Sequence, residues 1–140
     1  MIKTLSIKEV EYLASRLATE KITSNEPIPD SGTLFPNALE GSLAVPFQTF
    51  QRKPLYKGLA SKAAILFYLM IKNHPFQNGN KRIALTTLFA FLYKNKKWLE
   101  VDNRELYNFV MWVTASPSKL KNDVLKAIES FLKEYLVPLK

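Results

Sequence analysis

Ala63-Ala64-Ile65-Leu66-Phe67-Tyr68-Leu69-Met70-Ile71, His74-Pro75-Phe76-Gln77-Asn78-Gly79-Asn80-Lys81-Arg82 and Ile83-Ala84-Leu85-Thr86-Thr87-Leu88-Phe89-Ala90-Phe91-Leu92 decide the fold. Two apolar runs flank one polar knot. Apolar on nearly all sides, the runs read as two central helices, Leu59 to Lys72 and Asn80 to Asn95, inside a bundle. The knot then joins the end of one core helix to the start of the next.

Outward from this pair, the remaining elements are also helical. Ser6-Ile7-Lys8-Glu9 reads as a capping box that starts a first helix, with Val10, Leu13, Ala14 and Leu17 on its buried face. Asn25 to Pro36 is dense in turn residues and reads as a loop. A short helix through Ala38, Leu39, Leu43 and Ala44 should end before Pro46. Phe47 to Tyr56 combines aromatic and β-branched residues with Pro54, which suggests an extended flap or small hairpin. Asp102-Asn103-Arg104-Glu105 repeats the cap pattern ahead of Leu106, Phe109, Val110 and Val113. Ser116-Pro117 suits the start of a last helix, with Ser as cap and Pro in the first turn. Val124, Leu125, Ile128, Phe131, Leu132 and Tyr135 supply its stripe. The expectation is an all-α compact bundle with a short β-hairpin flap, one domain over residues 1–140.

Composition narrows the function classes. There is no cysteine, which excludes thiol chemistry, disulfides and Cys-based zinc sites. The N-terminus has no signal-peptide pattern, and each apolar run falls short of the roughly 20 residues that cross a bilayer. A soluble, cytoplasmic protein with no membrane association is expected. Twenty Lys and Arg against twelve Asp and Glu give a formal charge of +8, which draws anionic partners. The lysines are scattered and no nucleic-acid motif accompanies them, so direct nucleic-acid binding is not expected.

The knot carries the chemistry. His74 is the only histidine, and it sits between two rigid helices where a side chain can reach solvent. Imidazoles titrate near neutral pH and suit proton abstraction from a hydroxyl. Gly79-Asn80-Lys81-Arg82 opens a helix, whose N–H groups and dipole favour an anion. Cations at that end oppose the dipole unless an anion joins them, so Lys81 and Arg82 point to phosphate. Phe76 anchors the loop by burial and Pro75 stiffens it. No P-loop pattern is present. A base beside a phosphate cradle implies transfer from a phosphate donor to a hydroxyl.

His74 to Arg82 resembles the Fic/Doc motif His-Pro-Phe-x-(Asp/Glu)-Gly-Asn-(Gly/Lys)-Arg, matching it everywhere except position 78. Similarity to the Doc, or death-on-curing, branch extends through Leu39-Glu40-Gly41-Ser42-Leu43-Ala44 and the helices beside the motif, over residues 30 to 115. The resemblance implies a Fic fold with a flap beside the nucleotide. It makes His74 the base for a Ser, Thr or Tyr hydroxyl of a target protein. It makes Gly79, Asn80, Lys81 and Arg82 the phosphate and nucleotide site for ATP, with Mg²⁺. Phe76 becomes the structural anchor, and the stretch from Gln48 to Tyr56, led by Gln48, Thr49, Phe50, Gln51, Arg52 and Lys53, the flap that positions the target.

Lys81 selects within the resemblance. Fic adenylyltransferases have Gly there, whereas Doc proteins have Lys and transfer the γ-phosphoryl group. The implied function is a Doc-like toxin of a toxin-antitoxin pair that phosphorylates a translation component such as an elongation factor. A Fic-type adenylyltransferase (AMPylation) is the alternative, and a catalytically silent binding module the second. The last arises from Asn78, which offers the metal a neutral oxygen where the family has a carboxylate. Glu40-Gly41 half matches the self-inhibitory pattern of the family, but Pro36 stands in its Ser/Thr place, so Glu40 reads as an ordinary helix residue. Control in trans is then expected, from an antitoxin with an acidic or disordered tail.

Overall fold

The computed structural model describes residues 1–19, 35–76 and 79–140. The expected loop falls outside them up to Leu34, as does the side chain of Leu17 in the first stripe. Six α-helices and two small β-ribbons lie within. The first helix, α1 (Ile7–Thr19), starts where the capping box places it. The Ser6 N–H donates to Glu9 Oε1 at 2.9 Å and the Glu9 N–H donates to Ser6 Oγ at 3.1 Å. The Ser6 N–H, followed by Lys94 at 2.9 Å, holds the Glu9 carboxyl below the usual range.

Helix α2 (Pro36–Ala44) opens on a proline that fits a first turn, buries Leu39 and Leu43, and continues through Pro46 as a 3₁₀ turn, Val45–Phe47. The flap follows as strands β1 (Thr49–Phe50) and β2 (Lys53–Pro54), paired antiparallel. Gln51 and Arg52 form the turn with φ of 51° and 68°. Two positive φ values at the centre of a two-residue turn match the natural twist of the strands.

Helix α3 (Gly58–Lys72) is the axis of the molecule, with α4 (Asn80–Lys94), α2 and α6 (Lys121–Tyr135) packed around it. Every residue from Lys62 to Tyr68 is buried, as expected for an all-apolar helix. Helix α4 departs from that expectation. Ile83, Ala84, Leu88, Phe91 and Leu92 are buried, but Leu85, Phe89 and Ala90 are half-exposed and Tyr93 exposed. Its outer face is open to solvent.

Two expected caps are not made. Helix α5 (Asn103–Ala115) follows Asp102, but Asp102 forms no side-chain cap bond, and the Glu105 carboxylate instead accepts from the Tyr135 hydroxyl at 2.5 Å. Ser116 does not start the last helix but closes α5, its Oγ donating to the Val113 carbonyl at 2.6 Å. Lys72 Nζ donates to the Thr114 and Ser116 carbonyls at 3.1 and 2.6 Å, so the end of α3 satisfies the end of α5. A 3₁₀ turn, Ser118–Leu120, leads into α6. There Val124, Ile128 and Leu132 are buried, while Phe131 stacks on Phe109 with centroids 4.0 Å apart. A second ribbon, which the sequence did not announce, pairs β3 (Lys97–Leu99) with β4 (Leu136–Pro138) in antiparallel register, Trp98 opposite Val137. Among the described residues no helix is long and apolar enough to cross a membrane.

The Tyr135–Glu105 bond has a measurable consequence. That bond, then burial and the charges of Glu105 and Glu134, pushes the Tyr135 hydroxyl from 10.0 up to about 12. The folded protein thus holds this proton more tightly than the unfolded chain. The resulting stabilisation is fully present below pH 10.0 and is lost as pH rises through about 12. Burial also pushes the Tyr68 hydroxyl up, so ultraviolet titration of tyrosinate should find two late tyrosines, of which the one at about 12 is lost in Tyr135→Phe. An unchanged titration at about 12 in the variant would show that Tyr135 is not held by Glu105.

Candidate functional site

The knot is held in shape from both sides. Asn73 ends α3, its N–H donating to the Leu69 carbonyl at 2.9 Å, and His74 follows with φ of 45°. That left-handed conformation just past a helix end is the place where glycine is normally preferred. His74 occupies it with its side chain exposed. Pro75 and Phe76 are buried, Phe76 with 1% of its surface exposed. The Phe35 N–H, at the entrance to α2, donates to the Pro75 carbonyl at 3.0 Å. From the other side the Asn80 amide grips the Phe76 backbone twice, Oδ1 accepting from N–H at 3.0 Å and Nδ2 donating to the carbonyl at 2.8 Å.

Gly79 caps α4 in the left-handed region, φ 72° and ψ 23°, which a side chain would strain. The Ile83 N–H closes the first turn onto the Gly79 carbonyl at 2.9 Å. The N–H groups of Asn80, Lys81 and Arg82 are then those that the helix itself does not satisfy, at its positive end. The Lys81 side chain is exposed and that of Arg82 half-buried. Both line a cleft of about 560 Å³ whose far wall is α5, through Asn103, Leu106, Tyr107, Val110 and Met111.

The predicted residues thus separate into groups. His74, Phe76, Gly79, Asn80, Lys81 and Arg82 share one braced loop and helix start. The Asn80 side chain holds the loop, leaving its backbone N–H for an anion. Asn78, the proposed metal ligand, lies with Gln77 outside the described residues. Between His74 and Arg82 the chain has no Asp or Glu, so the knot offers a cation only neutral amide and carbonyl oxygens, that of Asn78 among them. Among the described residues no three His, Cys, Asp or Glu side chains gather as a metal site would require.

Gln48, Thr49, Phe50, Gln51, Arg52 and Lys53 stand apart on the hairpin, all exposed. At the hairpin's root the Phe47 ring meets the ring of Phe91, late in α4, with centroids 6.3 Å apart. The root also touches Lys62, ten positions before the end of α3, roughly 15 Å of helix rise from it. Sequence reasoning missed the α5 wall of the cleft. Its signal is Tyr107 and Met111, apolar residues one helical turn apart and outside the buried stripe.

Comparison with known proteins finds one family. The model of the Fic/DOC family matches residues 5–92. No curated protein and no solved structure matches the chain.

Proposed function

The chain belongs to the Fic/DOC family, and from that premise we propose that it transfers the γ-phosphoryl group of ATP to a Ser or Thr hydroxyl of a target protein, as the toxin of a toxin-antitoxin pair. The observation that carries this is Lys81. A cation at the first turn of α4, beside Arg82 and facing a cleft, belongs with the terminal phosphates of a nucleotide. A glycine there would instead leave room for a diphosphate approaching the other way.

In this mechanism the Asn80, Lys81 and Arg82 N–H groups and the two cationic side chains hold the phosphates. The apolar α5 wall, with Tyr107, takes the nucleoside. The His74 imidazole accepts the proton of the target hydroxyl. The hydroxyl oxygen bonds to the γ-phosphorus as the β–γ bridging bond breaks, and ADP leaves. Phosphoryl transfer of this kind depends on position and charge more than on covalent chemistry. Since the knot has no carboxylate, Mg²⁺ enters as part of the MgATP substrate and no residue is assigned to hold it. The flap positions the target chain, the target being a translation component such as an elongation factor. Restraint falls to an antitoxin with an acidic tail, acting in the cytoplasm.

Adenylylation is the second reading, favoured by the His-Pro-Phe start and Gly79. Incubating the protein and a cell lysate with ATP labelled at either the α or the γ phosphate separates the two. Label passing to protein from γ alone is the expected result. Label from α would establish adenylylation, and none from either position would leave a silent binding module.

A further inference from the structure

We infer that the cleft between α1 and the C-terminal end of α4 binds an unpaired stretch of nucleic acid, its bases stacked on exposed rings and its phosphates held by the lysines around them. Shape supplies the first argument. The cleft has a volume of about 750 Å³, and Tyr12, Phe89, Tyr93 and Trp98 line it. Tyr12, Tyr93 and Trp98 are 63%, 60% and 40% exposed. Phe89 packs against the Trp98 ring with centroids 4.7 Å apart, and Tyr93 stands nearly perpendicular to Trp98, at 82°. Supported rings open to solvent offer a stacking surface to any base, since every base has a π-face.

Charge supplies the second argument and selects the occupant. Lys8 and Lys94 line the same cleft, and Lys94, Lys96 and Lys97 lie between Tyr93 and Trp98 in the chain. Between Glu40 and Glu100 the chain contains no Asp or Glu, so α4 and the turn after it carry no acid. Glu9 is the acid among the lining residues, and Lys94 pairs with it at 2.9 Å. Cations interleaved with exposed rings suit a chain of phosphates that carries flat, stackable groups. No motif announces this in the sequence, where the lysines look scattered. The fold gathers them at one end of α4.

The third argument is that the turn is built to keep its shape. Asn95 ties it to the N-terminal segment: its Oδ1 accepts from the Lys3 N–H at 2.7 Å, and its Nδ2 donates to the Lys3 and Phe91 carbonyls at 2.9 and 2.8 Å. Lys96 follows in the left-handed region, φ 63°, where glycine is normally preferred past a helix end. Its N–H donates to the Tyr93 carbonyl and its carbonyl accepts from the Leu139 N–H, both at 3.0 Å. Lys94 already places a cation in the last turn of α4, so the helix dipole does not require Lys96. An exposed lysine held in a conformation that favours glycine points to a side chain kept for what it contacts. The site is also distinct from the phosphate cleft, because Lys94 and Lys81 are roughly 20 Å of helix rise apart.

Fluorescence anisotropy of a labelled DNA single strand about ten nucleotides long tests this on the whole chain. The same strand as a duplex and an acidic peptide of equal charge serve as comparators, and the single strand should bind best. Tyr12→Ala, which removes a ring outside the buried core, should weaken it about tenfold. Lys8→Ala/Lys96→Ala should also weaken it about tenfold and flatten the slope of log affinity against log salt by about 1.4. Lys119→Ala/Lys126→Ala, which removes equal charge elsewhere, should weaken it less than about twofold. Lys96→Gly should bind less well while melting higher. In Trp112→Phe, which leaves Trp98 as the sole tryptophan, the strand should quench the remaining fluorescence. MgATP should leave the strand bound.

Equal or tighter binding of the duplex would overturn the inference, and tighter binding of the acidic peptide would assign the cleft to a protein partner instead. Equal losses in the two double variants, unchanged binding in Tyr12→Ala or Lys96→Gly, or an unquenched Trp98 would reduce the binding to overall charge and overturn it as well. Displacement of the strand by MgATP would place it on Lys81 and Arg82, with the same result.

Discussion

Replacing His74 with alanine is expected to lower transfer from ATP roughly 10²–10⁴-fold, the range lost with a positioned general base, while ATP binding and the helical fold persist. The imidazole is exposed and its backbone is held by neighbours, so its removal exposes no core. A second substitution separates chemistry from stability. At φ 45° a residue with a Cβ is strained, and glycine is not. His74→Gly should therefore be equally inactive yet more stable than His74→Ala by about 1 kcal/mol, seen in parallel thermal melts. An active alanine variant would remove the base from the mechanism. Equal melting of the two variants would show that position 74 carries no strain, and with it would go the argument that this side chain is kept there at a cost.

What the sequence revealed, and what it hid, follows the range of the interactions. The Ser6–Glu9 box was legible because both partners lie within one turn, and Lys94, which also reaches the Glu9 carboxylate, leaves both box bonds in place. Asp102–Glu105 has the same spacing but a different outcome. Tyr135, thirty residues downstream, takes the Glu105 carboxylate, and no local pattern encodes that choice. Ser116-Pro117 failed as a helix start for a similar reason, since Lys72 from the distant α3 draws the Ser116 carbonyl into the end of α5. The β3–β4 ribbon joins segments from opposite ends of the last two helices, each only three residues long, too short for any periodicity to show.

The site divides along the same line. His74, Gly79, Lys81 and Arg82 were legible because a base, a left-handed turn and two cations at a helix start are a local signature. The double grip of Asn80 on Phe76 was not, because an amide in a polar loop suits a ligand as well as a backbone. The α5 wall was not legible either, since only tertiary packing brings Tyr107 and Met111 across from Arg82. Acid-free charge from 41 to 99 could have been counted in the sequence alone.

Asn78→Asp is the second large effect, and its sign should depend on Mg²⁺. An Asp at 78 would be the first carboxylate between Glu40 and Glu100. Without Mg²⁺ it repels the phosphates that Lys81 and Arg82 attract, so nucleotide binding should weaken. With Mg²⁺ saturating, the carboxylate gives the cation a charged oxygen where Asn78 offers a neutral one. Transfer should then rise about tenfold or more, the worth of one charged ligand in place of an amide. Rate curves for the two proteins against Mg²⁺ at fixed ATP should therefore cross. Superimposable curves would mean that residue 78 does not reach the metal, and the substitution would lose its interest. The wild-type chain adds a control, because Asn78-Gly79 favours spontaneous deamidation. If aged protein gains Mg²⁺-dependent activity, peptide mass spectrometry should find the carboxylate at 78 in proportion to the gain. Activity that rises while Asn78 stays unmodified would place the cause elsewhere.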